Sequence, residues 1–171
     1  NREEEFLNWS ELITAEIEYN YRVTDALMAR VSDSDLAWKP ETADSWMTTG
    51  QLLPPLASAC GMPIKGFATG VWGLPDGMSL EDMPPEEMMP PPDKLPTVDS
   101  VSQARELLEA DKQTALAVLA DCTAERLESE KTPAPWDPTP MPLGHRLLSM
   151  VTHLNQHKGQ LFYYLKLQGK E

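Results

Sequence analysis

The sequence predicts an all-α protein, a four-helix bundle with long crossover connections that forms a single domain over residues 1–171. Three segments carry apolar residues at intervals of three and four, the spacing of one helical face. No run of alternating β-branched residues indicates a strand. Two long proline-rich segments separate the helical ones, and such lengths suit crossovers better than tight turns.

Each apolar stripe predicts one long helix. The stripes run over residues 3–31, 101–122 and 143–164. Asp99 and Ser100 are candidate N-caps for the second of these helices, and Gly169 suits the end of the third. Asp111 is the only polar residue on the second stripe.

The remaining helix is predicted within TTGQLLPPLASACGMPIKGFATG, residues 48–70, which is apolar enough for a core element. Pro54 and Pro55 lie inside it and remove two backbone donors. Because an interior proline costs about 3 kcal/mol or more, we expect the helix to break or kink at these prolines.

Two connections are rich in proline. The first, at about 71–98, contains seven prolines, which predict an irregular path, and its methionines and Trp72 favour packing on an apolar surface. The second connection, residues 132–142, is predicted to be an irregular link to the last helix.

Charge and cysteine content restrict the function classes. The formal net charge is −13, which disfavours nucleic acid and anionic membrane surfaces as partners. No apolar run approaches the ~20 residues of a membrane-spanning helix, and the acidic start NREEEFLNW does not match a signal peptide. Cys60 and Cys122 are far apart, so we expect two buried free thiols and a cytoplasmic location.

His153 and His157 are four residues apart on the last predicted helix. This spacing puts both imidazoles on one face, about 5–6 Å apart at Cβ, within reach of one divalent ion. A catalytic zinc-type ion needs a third protein ligand, and His145 lies about 12 Å away along the helix. The alternative is that both are core histidines bonded to Asp111, Tyr21 or the backbone.

Two stretches resemble a known family. WKPETADSWMTTGQLL (38–53) and THLNQHKGQLFYYLKLQG (152–169) are similar to the DinB/YfiT-like superfamily of four-helix bundles. The resemblance implies a divalent metal, nickel or zinc, bound by three histidines, two of which fall on His153 and His157. The third falls on Pro55, which has no donor atom. Cys60 is a possible substitute ligand, and Asp111 is a candidate acceptor that would orient a ligand histidine.

Two functions therefore stay open, and the sequence alone does not decide whether the protein is an enzyme. In the first, Pro55 has removed the full metal site and the bundle is a small-ligand-binding or dimeric interaction module. In the second, His153 and His157 serve a metal-dependent enzyme of the thiol S-transferase, isomerase or hydrolase type. The resemblance implies a low-molecular-weight thiol, such as bacillithiol or mycothiol, as cosubstrate, and a homodimer as the assembly.

Overall fold

Residues 8–170 are described in a computed structural model of the protein, and they form the predicted bundle of four helical segments. The helices among them are α1 (Trp9–Met28), α2 (Thr49–Ala57), α3 (Gly61–Thr69), α4 (Pro85–Met88), α5 (Val101–Ala120), α6 (Ala124–Ser129) and α7 (Leu143–Leu167). α1 packs on α5 and α7, and the α2–α3 pair packs on the same two helices. The predicted start of the first helix, residues 3–7, lies outside the described residues.

Of the predicted break or kink, a break does not occur at the two prolines, because α2 runs through Pro54 and Pro55 and ends at Ala57. Without an N–H, Pro54 leaves the carbonyl of Gly50 without its usual helical donor. The Val98 N–H, at the end of the long connection, donates to that carbonyl at 3.2 Å. A tertiary hydrogen bond thus replaces a helical one, and α2 ends only at Ala57.

The prediction of an irregular segment at 132–142 is also wrong. β1 (Lys131–Ala134) and β2 (Asp137–Pro142) form an antiparallel hairpin, so the protein is not purely helical. The pairing is irregular between Thr132 and Ala134, where Pro133 cannot donate. Proline is tolerated because each strand of a two-stranded sheet is an edge strand.

The long connection is less irregular than expected. It contains the single turn α4 and two 3₁₀ turns, at 80–82 and 92–94. α6, which the apolar pattern does not predict, leads into the hairpin. Within residues 8–170 there is no helix with the length and hydropathy needed to cross a bilayer.

The core lies along the central axis of the bundle, where the predicted stripes meet. Cys60 and Cys122 are both buried and free, as predicted. The predicted cap Ser100 accepts a hydrogen bond from Gln103 N at 3.1 Å at the start of α5. Gly169 has a φ of 69° just beyond α7, which is the left-handed conformation that favours glycine at a helix end.

Candidate functional site

An open cleft of about 970 Å³ lies between α3, the 71–98 connection, the hairpin and the middle of α7. Its walls are mainly thioether and indole side chains, with a few hydroxyl groups, one amide and one imidazole. The residues that define it are Met62, Trp72, Met88, Met89, Trp136 and His153. The expectation that the methionine-rich connection packs on an apolar surface holds for Trp72, which packs against the core. Met88 and Met89 line the cleft and stay exposed.

The two indoles that line the cleft, Trp72 and Trp136, pack on the buried ring of Phe67. Phe67 on α3 contacts Trp72 edge to face with centroids 5.0 Å apart, and contacts Trp136 of the hairpin at 5.7 Å. The two indoles are 6.3 Å apart at an interplanar angle of 76°. A Cβ on Gly66 would lie 2.2 Å from the Trp72 ring, so only glycine leaves room for that indole.

Arg146 on α7 fixes the hairpin that carries Trp136. Its side chain is only 8% exposed. It donates to the carbonyl of Thr132 at 3.2 Å and to the Asp137 carboxylate at 3.3 Å, and its guanidinium lies 5.9 Å from the Phe67 ring centre. Sequence reasoning missed this residue, although an arginine next to Leu147 on an apolar stripe is a sign of a buried polar contact.

The two histidines of α7 face one another. The Nε2 atoms of His153 and His157 are 3.1 Å apart. Nδ1 of His153 is 2.8 Å from the carbonyl of Ala59, which can only accept, so Nδ1 carries the proton. In the neutral imidazole, Nε2 of His153 therefore carries a lone pair directed at His157, where it can accept a proton or coordinate a cation.

His157 is partly buried, and desolvation lowers its pKa below the ordinary histidine value, with a smaller contribution from the neighbouring His153. Its Nδ1 lies 2.9 Å from Oε1 of Gln160, one turn further along α7. That hydrogen bond raises the pKa of His157 and partly offsets the lowering by desolvation. The neutral imidazole, the form that binds metals, is thereby favoured near neutral pH.

Asp111 lies with Tyr21 and Cys60 rather than with the histidines. Its carboxylate accepts hydrogen bonds from the Tyr21 hydroxyl at 2.7 Å and from the N–H groups of Gly61 and Met62 at 2.8 and 3.0 Å. Burial raises the pKa of Asp111 despite these donors. The acceptor that orients His153 is thus the carbonyl of Ala59, and Asp111 instead caps the start of α3.

Cys60 is the N-cap residue of α3 and is fully buried beside the Tyr21 hydroxyl. Burial raises the pKa of its thiol to about 12. A thiol with that pKa stays protonated at neutral pH, so it is a poor metal ligand and a poor nucleophile.

A three-ligand metal centre does not fit the donors in the described part of the chain. Pro55 lies within α2 and offers none. Residues 8–170 contain no group of three or more His, Cys, Asp or Glu side chains placed to hold one ion. Two ligands do fit, because 3.1 Å is close to the roughly 3.3 Å between two nitrogens bound to one tetrahedral zinc.

Comparisons with known proteins agree with this fold. The family profile described as the DinB superfamily matches residues 16–161. The crystal structure of a DinB-like protein, YjoA from Bacillus subtilis, resembles the chain with a TM-score of 0.60 and 19% sequence identity over 94% of each chain. No curated protein matches the sequence. With most of its length covered by that profile, the chain belongs to the DinB superfamily.

Proposed function

We propose that the protein binds a small, largely apolar ligand in the cleft between α3, the 71–98 connection, the hairpin and α7. The observation that carries this proposal is the cleft itself, about 970 Å³ in volume and lined by methionine and tryptophan. Binding sites for small molecules typically have about 300–1,000 Å³, apolar walls and a few polar groups that set orientation. His153 and the nearby hydroxyl groups are such polar groups here.

The exposure of the lining also supports a ligand. Met62 is 50% exposed, Met89 is 84% exposed and Trp136 is 53% exposed. When a ligand covers apolar side chains gathered at one concave surface, their removal from water favours binding. Methionine is flexible and polarisable, so these walls can adapt to aromatic and aliphatic ligands.

A matched pair of methionine variants tests the proposal. The probe is 2-naphthalenemethanol, followed by calorimetry and by quenching of tryptophan fluorescence. We expect saturable binding with one site per chain, lost in Met62→Asp and kept in Met78→Asp. Both methionines are about half exposed, at 50% and 47%, but only Met62 lines the cleft. Equal binding by the two variants, or none by the wild type, contradicts the proposal.

The second candidate function is a metal-dependent enzyme, favoured by the 3.1 Å approach of the two Nε2 atoms. His153 and His157 would hold the ion, and the Ala59 carbonyl would keep His153 oriented, as is usual for metal-bound histidines. A divalent ion bound there would supply an electrophilic centre that lowers the pKa of a bound thiol or water. A site with two protein ligands would bind the ion more weakly than a site with three.

Metal content measured by mass spectrometry, on protein purified without a histidine tag, tests this second candidate. We expect near-stoichiometric nickel or zinc in the wild type and in His145→Ala, and its loss in His157→Ala. His145 is the matched control because it is on the same helix but does not contact the pair. Absence of metal after incubation with excess ion would exclude the metal-dependent enzyme and leave the ligand-binding proposal standing.

We also propose that the protein is a homodimer. The last turns of α7 expose the apolar side chains Phe162, Tyr163 and Leu167, and Tyr19 of the neighbouring α1 is exposed as well. Sedimentation at micromolar concentration is expected to give a dimer for the wild type and for Val71→Glu, and a monomer for Tyr163→Glu. Val71 is also more than half exposed, at 53% against 67% for Tyr163, but it follows α3 and is not part of this surface. A monomeric wild type would overturn the assignment.

A further inference from the structure

We propose that the cleft selects apolar ligands that carry a positive charge and excludes anionic ones. This inference rests on the proposed function of the cleft and goes further by naming the charge class of the ligand. Three features of the described residues support it: the uncharged lining of the cleft, its two indoles, and the acidic connection that borders it.

The lining contains no group suited to an anion. Among the described residues around the cleft, the polar side chains are the hydroxyl groups of Ser58, Ser149 and Thr152, the amide of Gln156 and the imidazole of His153. Proteins bind carboxylates and phosphates mainly through arginine and lysine, and neither residue lines this cleft. An anionic ligand would lose its hydration here without gaining a charged partner.

The indoles favour a cation. Trp72 and Trp136 both line the cleft, and tryptophan has the aromatic ring that attracts cations most strongly. Trp136 remains 53% exposed, so part of its ring is accessible to a ligand. An ammonium group near these rings would interact favourably while its apolar body contacts the methionines.

The connection beside the cleft adds a negative potential. Residues 71–95 contain six acidic residues and a single lysine. Glu81 follows the lining residue Leu80 and Glu87 precedes Met88, and both carboxylates are exposed. None of the ion pairs formed within residues 8–170 involves a carboxylate of this connection. Uncompensated charge of one sign around a cleft attracts ligands of the opposite sign.

Three naphthalene probes of similar size, with a cationic, a neutral and an anionic polar group, provide the test: 2-naphthylmethylammonium, 2-naphthalenemethanol and 2-naphthoate. Calorimetry at pH 7 is expected to show the ammonium binding at least about fivefold more tightly than the alcohol, with the carboxylate weakest. Raising NaCl from about 20 to about 300 mM should reduce the preference for the ammonium, because salt screens the acidic connection.

A pair of fourfold variants separates local charge from net charge. The first changes Glu81 and Glu87, with Asp82 and Glu86, to their amides, and the second changes Glu106, Glu109, Glu125 and Glu128 to glutamine. Both remove four negative charges, but the second set lies on α5 and α6 away from the cleft. We expect the first variant to lose most of the preference for the ammonium and to bind the alcohol as the wild type does, and the second variant to keep the preference.

The possible failures are distinguishable. If the alcohol binds as tightly as the ammonium, the charge inference is overturned while the apolar binding function stands. If the two variants lose the preference equally, net charge alone acts and the assignment to the acidic connection is overturned. If none of the three probes binds, the charge inference and the proposed function are both overturned.

Discussion

Asp111 is the residue that joins three helices at the bend between α2 and α3. Asp111 lies on α5, and its carboxylate accepts hydrogen bonds from the Tyr21 hydroxyl on α1 and from two N–H groups at the start of α3. Gly61 permits this approach, since a Cβ there would lie 2.1 Å from the Asp111 carbonyl oxygen. The bend in turn places the Ala59 carbonyl against His153. A buried carboxylate outside the cleft therefore sets the orientation of a cleft histidine.

Substitution of Asp111 tests this role. Asp111→Ala should destabilise the protein by about 2–4 kcal/mol, because a buried hydroxyl and two buried N–H groups lose their acceptor. Urea unfolding at neutral pH measures the loss. Asp121→Ala is a suitable control, because Asp121 is exposed at the end of α5, and a change there should cost at most about 0.5 kcal/mol. Similar losses in both variants would contradict the role of Asp111.

Asp111→Asn gives a pH dependence with a defined sign. Burial raises the pKa of Asp111 in the folded state, so the folded protein holds this proton more tightly than the unfolded chain does. The contribution of the protonated Asp111 carboxyl to stability is complete at pH values below its pKa in the unfolded chain. It is lost as pH rises through its pKa in the folded protein. The stability of the wild type relative to Asp111→Asn should therefore fall as pH rises above the ordinary aspartate pKa of about 4. A pH-independent difference would contradict the shift.

Two glycines provide a prediction with opposite signs. Gly66→Ala should cost about 1–3 kcal/mol and displace Trp72, whose ring lies 2.2 Å from the added Cβ. Gly159→Ala should add about 0.5–1 kcal/mol, because this glycine is inside α7 with open space around it. Thermal unfolding of both variants measures the signs, and a change in tryptophan emission is expected for Gly66→Ala alone.

The hairpin is the element on which the cleft depends most directly. It reaches the bundle through Arg146, which donates to backbone and side-chain oxygens of both strands and lies over Phe67. Lysine cannot replace this planar set of donors. The aromatic wall formed by Trp72 and Trp136 thus depends on a side chain of α7.

Replacing Arg146 should disturb the wall and leave the helices intact. In Arg146→Lys and Arg146→Met, the near-ultraviolet circular dichroism from the edge-to-face indoles is expected to weaken while the helical signal in the far ultraviolet persists. Stability should fall by about 2–4 kcal/mol. Arg105→Met is the control, because its ion pair with Asp25 is 45% and 43% exposed, and such pairs contribute about 0–1 kcal/mol. An unchanged near-ultraviolet spectrum in the Arg146 variants would contradict the contact.

The whole molecule carries far more negative than positive charge, 27 acidic residues against 14 basic ones. Two of the five ion pairs within residues 8–170, Arg105–Asp25 and Arg126–Glu130, have both side chains exposed, where the energy of each pair is small. Repulsion among the unpaired carboxylates therefore opposes the compact state at neutral pH.

Salt should relieve that repulsion. Adding NaCl to about 0.3 M at pH 7 is expected to raise Tm by a few degrees, because the Debye length falls to about 6 Å. Near the isoelectric pH of 4.6 the same salt should leave Tm almost unchanged, since the net charge is then close to zero. A Tm that falls with NaCl at pH 7 would show that the surface ion pairs outweigh the repulsion.

The sequence by itself determined the long helices and the histidine pair. Helical periodicity depends on neighbours three and four residues away, so α5, α7 and the end of α1 were predictable within a few residues. The spacing of His153 and His157 likewise places both side chains on one face of one helix, while the Ala59 carbonyl orients the His153 ring.

Only the tertiary structure decided the remaining features. α2 continues through Pro54 because the distant Val98 donates to Gly50, and the hairpin forms where its strands pair and Arg146 holds them. Asp111 caps α3 across 50 residues of chain. The cleft likewise depends on side chains from four separate segments. Each depends on a partner far away in the chain, and local spacing carries no information about which distant group will supply a missing hydrogen bond.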